Sequence, residues 1–169
     1  MTAETGSALE MELSATGTTS KRVSPQEAPR AISEAVTTPA VGVALNRIGV
    51  SLSETPVVVD PTPNQVSEAR TGVTPASLAI SDYGTLVLAG HGDGSELVSL
   101  FVERHIAVLR ESDVVEDMET TFGRLGSAIS GEFGDAILET GPSATADMGA
   151  LVTGAHGPRE VHAILVTEG

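Results

Sequence analysis

Apolar residues along the chain fall into short runs broken by Gly, Pro and polar turns, with few long stripes. Val41-Gly42-Val43-Ala44-Leu45 and Pro56-Val57-Val58-Val59-Asp60 are rich in β-branched residues and predict strands. Thr62-Pro63-Asn64-Gln65 follows as a capping box with proline at the first helical position, so a short helix is expected to about Arg70, ended by Gly72. Ala76–Ile80, a turn at Asp82-Tyr83-Gly84, and the apolar run Thr85–Ala89 come next, then the polar turn Gly90–Ser95, Leu97–Phe101 and the buried-strand pattern His105–Leu109. Val114, Val115, Met118, Phe122, Leu125 and Ile129 recur at three- and four-residue spacing behind Ser112, which predicts a helix capped there. Ala136–Glu139 and Val161–Thr167 complete the pattern. Strand and helix in alternation predict an α/β fold: one domain with a mostly parallel sheet flanked by helices and right-handed crossovers. Residues 1–30, dominated by Ser, Thr, Ala, Gly and Glu, predict an acidic, flexible N-terminal tail or a frayed helix, leaving 31–169 as the domain.

Composition narrows the chemistry. Among 169 residues there is no cysteine, which rules out thiolate catalysis, disulfides and cysteine-held clusters in this chain. Nine Lys+Arg against 23 Asp+Glu give a formal net charge of −14, a poor match for nucleic acid or anionic lipid. Lys21 is the single lysine and aromatics make up 2%, a texture similar to acidic, halophilic-type proteins. No apolar run approaches the ~18–20 residues needed to span a bilayer, and the first twenty residues hold Glu4, Glu10 and Glu12 without a cation, so a cytoplasmic location is expected.

Candidate chemistry gathers in turns beside predicted strands, where α/β sheets place ligands. Thr140-Gly141-Pro142-Ser143-Ala144-Thr145-Ala146-Asp147 offers a glycine able to take positive φ, hydroxyls and successive backbone amides, suited to an anion. The same residues also read as a plain helix start, with Ser143 as cap and Asp147 in the first turn. Gly154-Ala155-His156-Gly157-Pro158 sets an imidazole between glycines, either for a proton or hydrogen bond to a ligand, or for a bond to a neighbouring carbonyl. Asp82, closing an apolar segment, is either a base or nucleophile at a strand edge or an Asx anchor for its turn. Gly90-His91-Gly92-Asp93-Gly94 departs from the dinucleotide fingerprint and reads as a loop or lid. No metal-ligand spacing occurs.

Several of these segments together resemble the LUD family, in its lactate utilization protein C branch. They are Thr71–Thr74, Ala79–Leu88, His105–Val108, Thr140–Asp147 and Gly154–Pro158, in the family's order. The resemblance covers roughly Val41 to Val166, and Gly-Pro-Ser-x-Thr-Ala-Asp followed by His-Gly-Pro is its most specific part. It implies a fold similar to the NagB/RpiA/CoA transferase-like group and a part in oxidising L-lactate to pyruvate, with iron–sulfur clusters on LutA- and LutB-like partner proteins and no cofactor in this chain. Ala144 stands where the family often has Arg, which removes a bidentate carboxylate clamp. On this reading Gly141, Ser143, Thr145, Gly154 and Gly157 contact a small anionic metabolite or cofactor, while His156, Asp147 and Asp82 carry any proton transfer. The alternatives are a stand-alone enzyme of the isomerase or transferase kind, or a scaffolding module without ligand chemistry.

Overall fold

Runs of β-branched and small apolar residues become strands that are covered on both sides, and this decides the architecture. The computed structural model describes residues 3–90, 92–129, 135–147, 150–154 and 156–168. The chain runs α1 (Ala3–Ala15), β1 (Thr19–Val23), α2 (Ala28–Ala35), β2 (Ala40–Gly42), β3 (Val57–Val59), α3 (Pro63–Glu68), β4 (Thr71–Pro75), β5 (Leu78–Ile80) and β6 (Thr85–Ala89). It continues through α4 (Ser95–Leu100), β7 (Arg104–Arg110), β8 (Val114–Val115), α5 (Met118–Ile129), β9 (Ala136–Thr140), β10 (Ala144–Asp147), β11 (Ala150–Thr153) and β12 (Glu160–Val166).

Six strands form a wholly parallel sheet in the order β1-β12-β7-β4-β2-β3. On one face Ala28, Ala31 and Ile32 of α2 pack with Leu45, Ile48, Val50 and Leu52 over Val73, Ile106, Val108 and Ile164. The opposite face meets Leu9 and Leu13 of α1 and a second sheet, ordered β8-β5-β6-β9, through Leu86, Leu88, Ala107, Leu109 and Leu165. Leu125 of α5 then joins Leu78, Ile80, Val87 and Val115 in a separate apolar cluster of that second sheet.

The α/β class, the single domain and the mostly parallel sheet with flanking helices agree with the sequence reading. Four local expectations do not. Residues 1–30 carry α1, β1 and the start of α2 rather than a flexible tail: Leu9 and Leu13 are fully buried, and β1 pairs along its length with β12. Gly72 does not end α3, whose cap is Ala69; it lies inside β4, where a Cβ would run into the Val98 carbonyl of α4. Ser112 does not cap the following helix. Val114 and Val115 pair with β5, and α5 starts at Met118, with Asp117 Oδ1 accepting the Thr120 amide at 2.7 Å. Finally, the 78–80, 85–89 and 136–140 strands build an antiparallel segment of the second sheet instead of joining the parallel one. Among the described residues no helix is long and apolar enough to cross a membrane.

Candidate functional site

The parallel sheet has a topological switch between β2 and β4. From β2 the chain moves outward to β3, whereas from β4 it proceeds to β7 and β12 on the other side. Loops leaving the carboxyl ends of two such neighbours diverge and open a crevice between them. A cavity of about 440 Å³ occupies that position, walled by Val43 and Ala44 beyond β2, Asp60 beyond β3, Pro75 to Leu78 at the end of β4, and Arg110 at the end of β7. Arg47 and Arg124 line it too. Three of the chain's eight arginines therefore line one cleft, and Asp60, Asp93 and Asp113 line it with them, so its formal charges balance in a molecule with a net charge of −14.

Arg110 is held in place. Its Nε donates to Asp113 Oδ2 at 2.8 Å and its Nη2 to Oδ1 at 3.2 Å, a two-point pairing that fixes the guanidinium plane. The Asp113 hydrogen bonds and charge raise the Arg110 pKa above its already high ordinary value, so the group is a permanent cation. Asp60 adopts φ +54°, an uncommon conformation for a residue other than glycine, with its amide donating to the Gly42 carbonyl at 3.3 Å. Guanidinium groups beside carboxylates suit recognition of a carboxylate or phosphate, with the aspartates placed for its hydroxyl groups.

The two turns singled out in the sequence lie side by side, but at the opposite, amino end of the parallel strands. The Ser143 amide donates to the Pro158 carbonyl at 2.9 Å and the Gly154 amide to the Ser143 carbonyl at 2.8 Å, while a Cβ on Gly157 would stand 3.2 Å from Ser143 Cβ. Two amides expected to face an anion thus bind each other's segment. The 144–147 stretch is the strand β10, paired antiparallel with β11, and not a helix start. Gly141 takes φ +73°, and a Cβ there would run into the Thr16 carbonyl just beyond α1. The side chains of Thr145 and Asp147, along with His91 and Ala155, lie outside the described residues.

His156 is exposed and lines a cavity of about 540 Å³ with Phe101, Glu103, Gly154, Gly157 and Arg159. Asp82 is exposed in the β5–β6 turn, its amide donating to the Glu116 carbonyl at 3.0 Å. Pairing of Thr85 with Thr140 sets that turn and Gly141 at one end of the second sheet.

Sequence patterning passed over two further arrangements. Arg47, Arg110 and Arg124 share no local motif; the one available signal was Arg110, directly after an expected buried strand. His105 is fully buried, with Nε2 2.8 Å from Thr74 Oγ1 and Nδ1 2.7 Å from Glu139 Oε2. Hydroxyl, imidazole and carboxylate stand in the sequence of a nucleophilic triad. Thr74 has no accessible surface, so substrate has no path to it, and the trio pins the two sheets together. Among the described residues no cluster of His, Asp and Glu has the arrangement of a metal site.

Comparison with known proteins bears on this geometry. The family model of the LUD domain matches residues 55–166, more than half of the chain. Lactate utilization protein C of Deinococcus radiodurans is 31% identical over 104 residues, 60% of this chain and 49% of that protein. The proteins of the same name from Bacillus licheniformis and a Geobacillus strain are 32% and 33% identical, over 62% and 60% of this chain and 45% and 44% of their own. The chain spans about half the length of the curated relatives it matches. A 1.70 Å crystal structure of a DUF162 family protein from Deinococcus radiodurans superposes with a TM-score of 0.73 at 23% identity, covering 97% of both chains, a likeness of fold.

Proposed function

The chain belongs to the LUD-domain family, and from that premise we propose that it serves a lactate-utilization system as its anion-binding component. The arginine-lined cleft at the carboxyl ends of β2, β3, β4 and β7 is the binding site in this reading, and a small carboxylate such as L-lactate or pyruvate is the ligand. Convergence of Arg47, Arg110 and Arg124 at the switch point carries the reading. The long-range field of a −14 chain repels such an ion, so local guanidinium groups must overcome it at short range. Electron transfer is assigned to iron–sulfur partners of the LutA and LutB kind, consistent with the absence of cysteine here.

Titration calorimetry with L-lactate, pyruvate and inorganic phosphate in molar KCl tests the site. Losing a charge-assisted contact costs roughly 1.5–3 kcal/mol, so Arg110→Ala and Arg124→Ala are each expected to weaken binding about tenfold or more. Absence of binding by all three ions would overturn the anion reading. Lactate-dependent dye reduction by the three proteins together tests the system role, and undiminished reduction without this chain would end it.

A second site reading has its own support, the hydrogen-bonded contact between the Ser143 and Gly154–Pro158 turns beside His156 and Arg159. If binding falls in His156→Ala and Ser143→Ala but not in the Arg110 and Arg124 variants, the ligand belongs there.

A further inference from the structure

The arginine cleft has an apolar neighbour. A second cavity of about 460 Å³ lies between α3 and α4, and Asp60 and Asp93 wall both spaces, so the two adjoin along these side chains. Apart from these aspartates its walls are mainly apolar, formed by Pro61, Pro63, Val66, Leu97 and Phe101. Helix α4 already buries Val98 against the domain, yet Leu97 and Phe101 remain 56% and 68% exposed. Three phenylalanines and one tyrosine are all the aromatics this chain has, and one of them stands in this groove. Apolar surface next to a cleft that offers guanidinium groups among carboxylates is an arrangement that suits a ligand with a charged head carrying a hydroxyl and an apolar body. Each space alone has a volume in the range that encloses drug-sized molecules, and a three-carbon hydroxy acid would leave most of the first unfilled.

We propose that cleft and groove form one bipartite site for a 2-hydroxy acid whose chain beyond the carboxylate is a long aliphatic or an aromatic group. The carboxylate lies at Arg110 and Arg124. The 2-hydroxyl faces Asp60 and Asp93, where it can donate to carboxylate oxygen; Asp93 Oδ1 is already engaged by the Ser95 amide and hydroxyl at 3.0 and 2.6 Å, which holds that side chain in place. The apolar body lies on Leu97 and Phe101. This inference rests on the arginine cleft being the anion site, and it adds the ligand's size and polarity.

Calorimetry with three probes, L-lactate, 2-hydroxyoctanoate and 3-phenyllactate, separates the two ideas. Burying several methylenes or a phenyl ring is expected to tighten binding over lactate by about tenfold or more. In Leu97→Ser and Phe101→Ala, whose side chains are exposed and hold no core together, the ratio of tailed-acid to lactate affinity is expected to fall toward one. Lactate binding with no gain from either tail would overturn the bipartite site and leave the anion reading standing. A gain that survives both substitutions would place the tail elsewhere and overturn the groove. Failure of all three acids to bind would remove both. Substitutions that leave the acid affinities intact but impair dye reduction with the partner proteins would reassign the groove to protein docking, again overturning the proposal.

Discussion

His162 stands half-buried on β12 with Nδ1 2.7 Å from Thr19 Oγ1, which ties the edge strand β1 to its neighbour. Burial lowers its pKa below the ordinary 6.5, and the Arg104 and Lys21 charges lower it further. The folded protein therefore prefers the neutral ring, and below about pH 6.5 the unfolded chain takes up the proton more readily. Stability from this group is complete above that pH and is lost as pH falls through the folded value. Glu96 works in the opposite direction, because its hydrogen bond with Asp135 raises its pKa and favours the folded state on acidification. Glu27, Glu34 and Asp117 have lowered pKa values from hydrogen bonds to Ser24, to Lys21 and Arg30, and to Thr120, so they titrate below this window. The difference between wild type and His162→Gln isolates the histidine. Melting temperatures between pH 7 and 5 are expected to fall less steeply in the variant, and parallel curves would show that His162 does not titrate in this way.

Helix α1 shows what a local reading of elements loses. Leu9 and Leu13 are its two fully buried large side chains, one turn apart, set among Ser, Thr, Ala, Gly and Glu, while Met11 is 68% exposed. Two leucines make too short a stripe for periodicity to register, but they suffice once a sheet face exists to receive them. Leu13→Ala is expected to cost about 2–5 kcal/mol in urea denaturation, against within ~0.5 kcal/mol for Met11→Ala. Equal and negligible effects would restore the flexible-tail reading. The strands were more legible: 57–59 lies in the expected β-branched run, 85–89 is the expected apolar run, 160–166 lies within one residue of the closing strand expected at 161–167, and the Thr62–Gln65 capping box forms in both directions. Their assignment to sheets was not legible, because β6 is buried along its whole length, with Leu86 and Leu88 in one cluster and Val87 in another. An antiparallel strand covered on both faces loses the alternation that would distinguish it from a parallel one. Val114 and Val115 misled for a related reason, since helical spacing to Met118 coincides with a two-residue pairing to β5 that only the tertiary fold supplies.

At the scale of the whole molecule, topology collects groups that spacing along the chain cannot, and the arginine cleft is the clearest case: a loop after β2, the end of β7 and a turn of α5 each supply one cation. The same scale governs charge. Among the described residues Lys21, Arg22, Arg30, Arg70, Arg104 and Arg110 form ion pairs with carboxylates, and a large acidic excess remains. Salt weakens attraction and repulsion alike. Exposed pairs contribute only about 0–1 kcal/mol each, whereas the net −14 acts against the compact state through every separation shorter than the Debye length. That length falls from about 10 Å at 0.1 M to about 3 Å at 1 M, so repulsion is the larger quantity removed. Raising KCl from 0.1 to 1 M is therefore expected to increase the melting temperature by at least ~5 °C, which for a chain of this size corresponds to about 2 kcal/mol. Sucrose at matched osmolality acts without screening and separates that effect from a general strengthening of burial. A melting temperature that is flat or falls in KCl would mean that the ion pairs, and not the acidic excess, dominate the electrostatics of this fold.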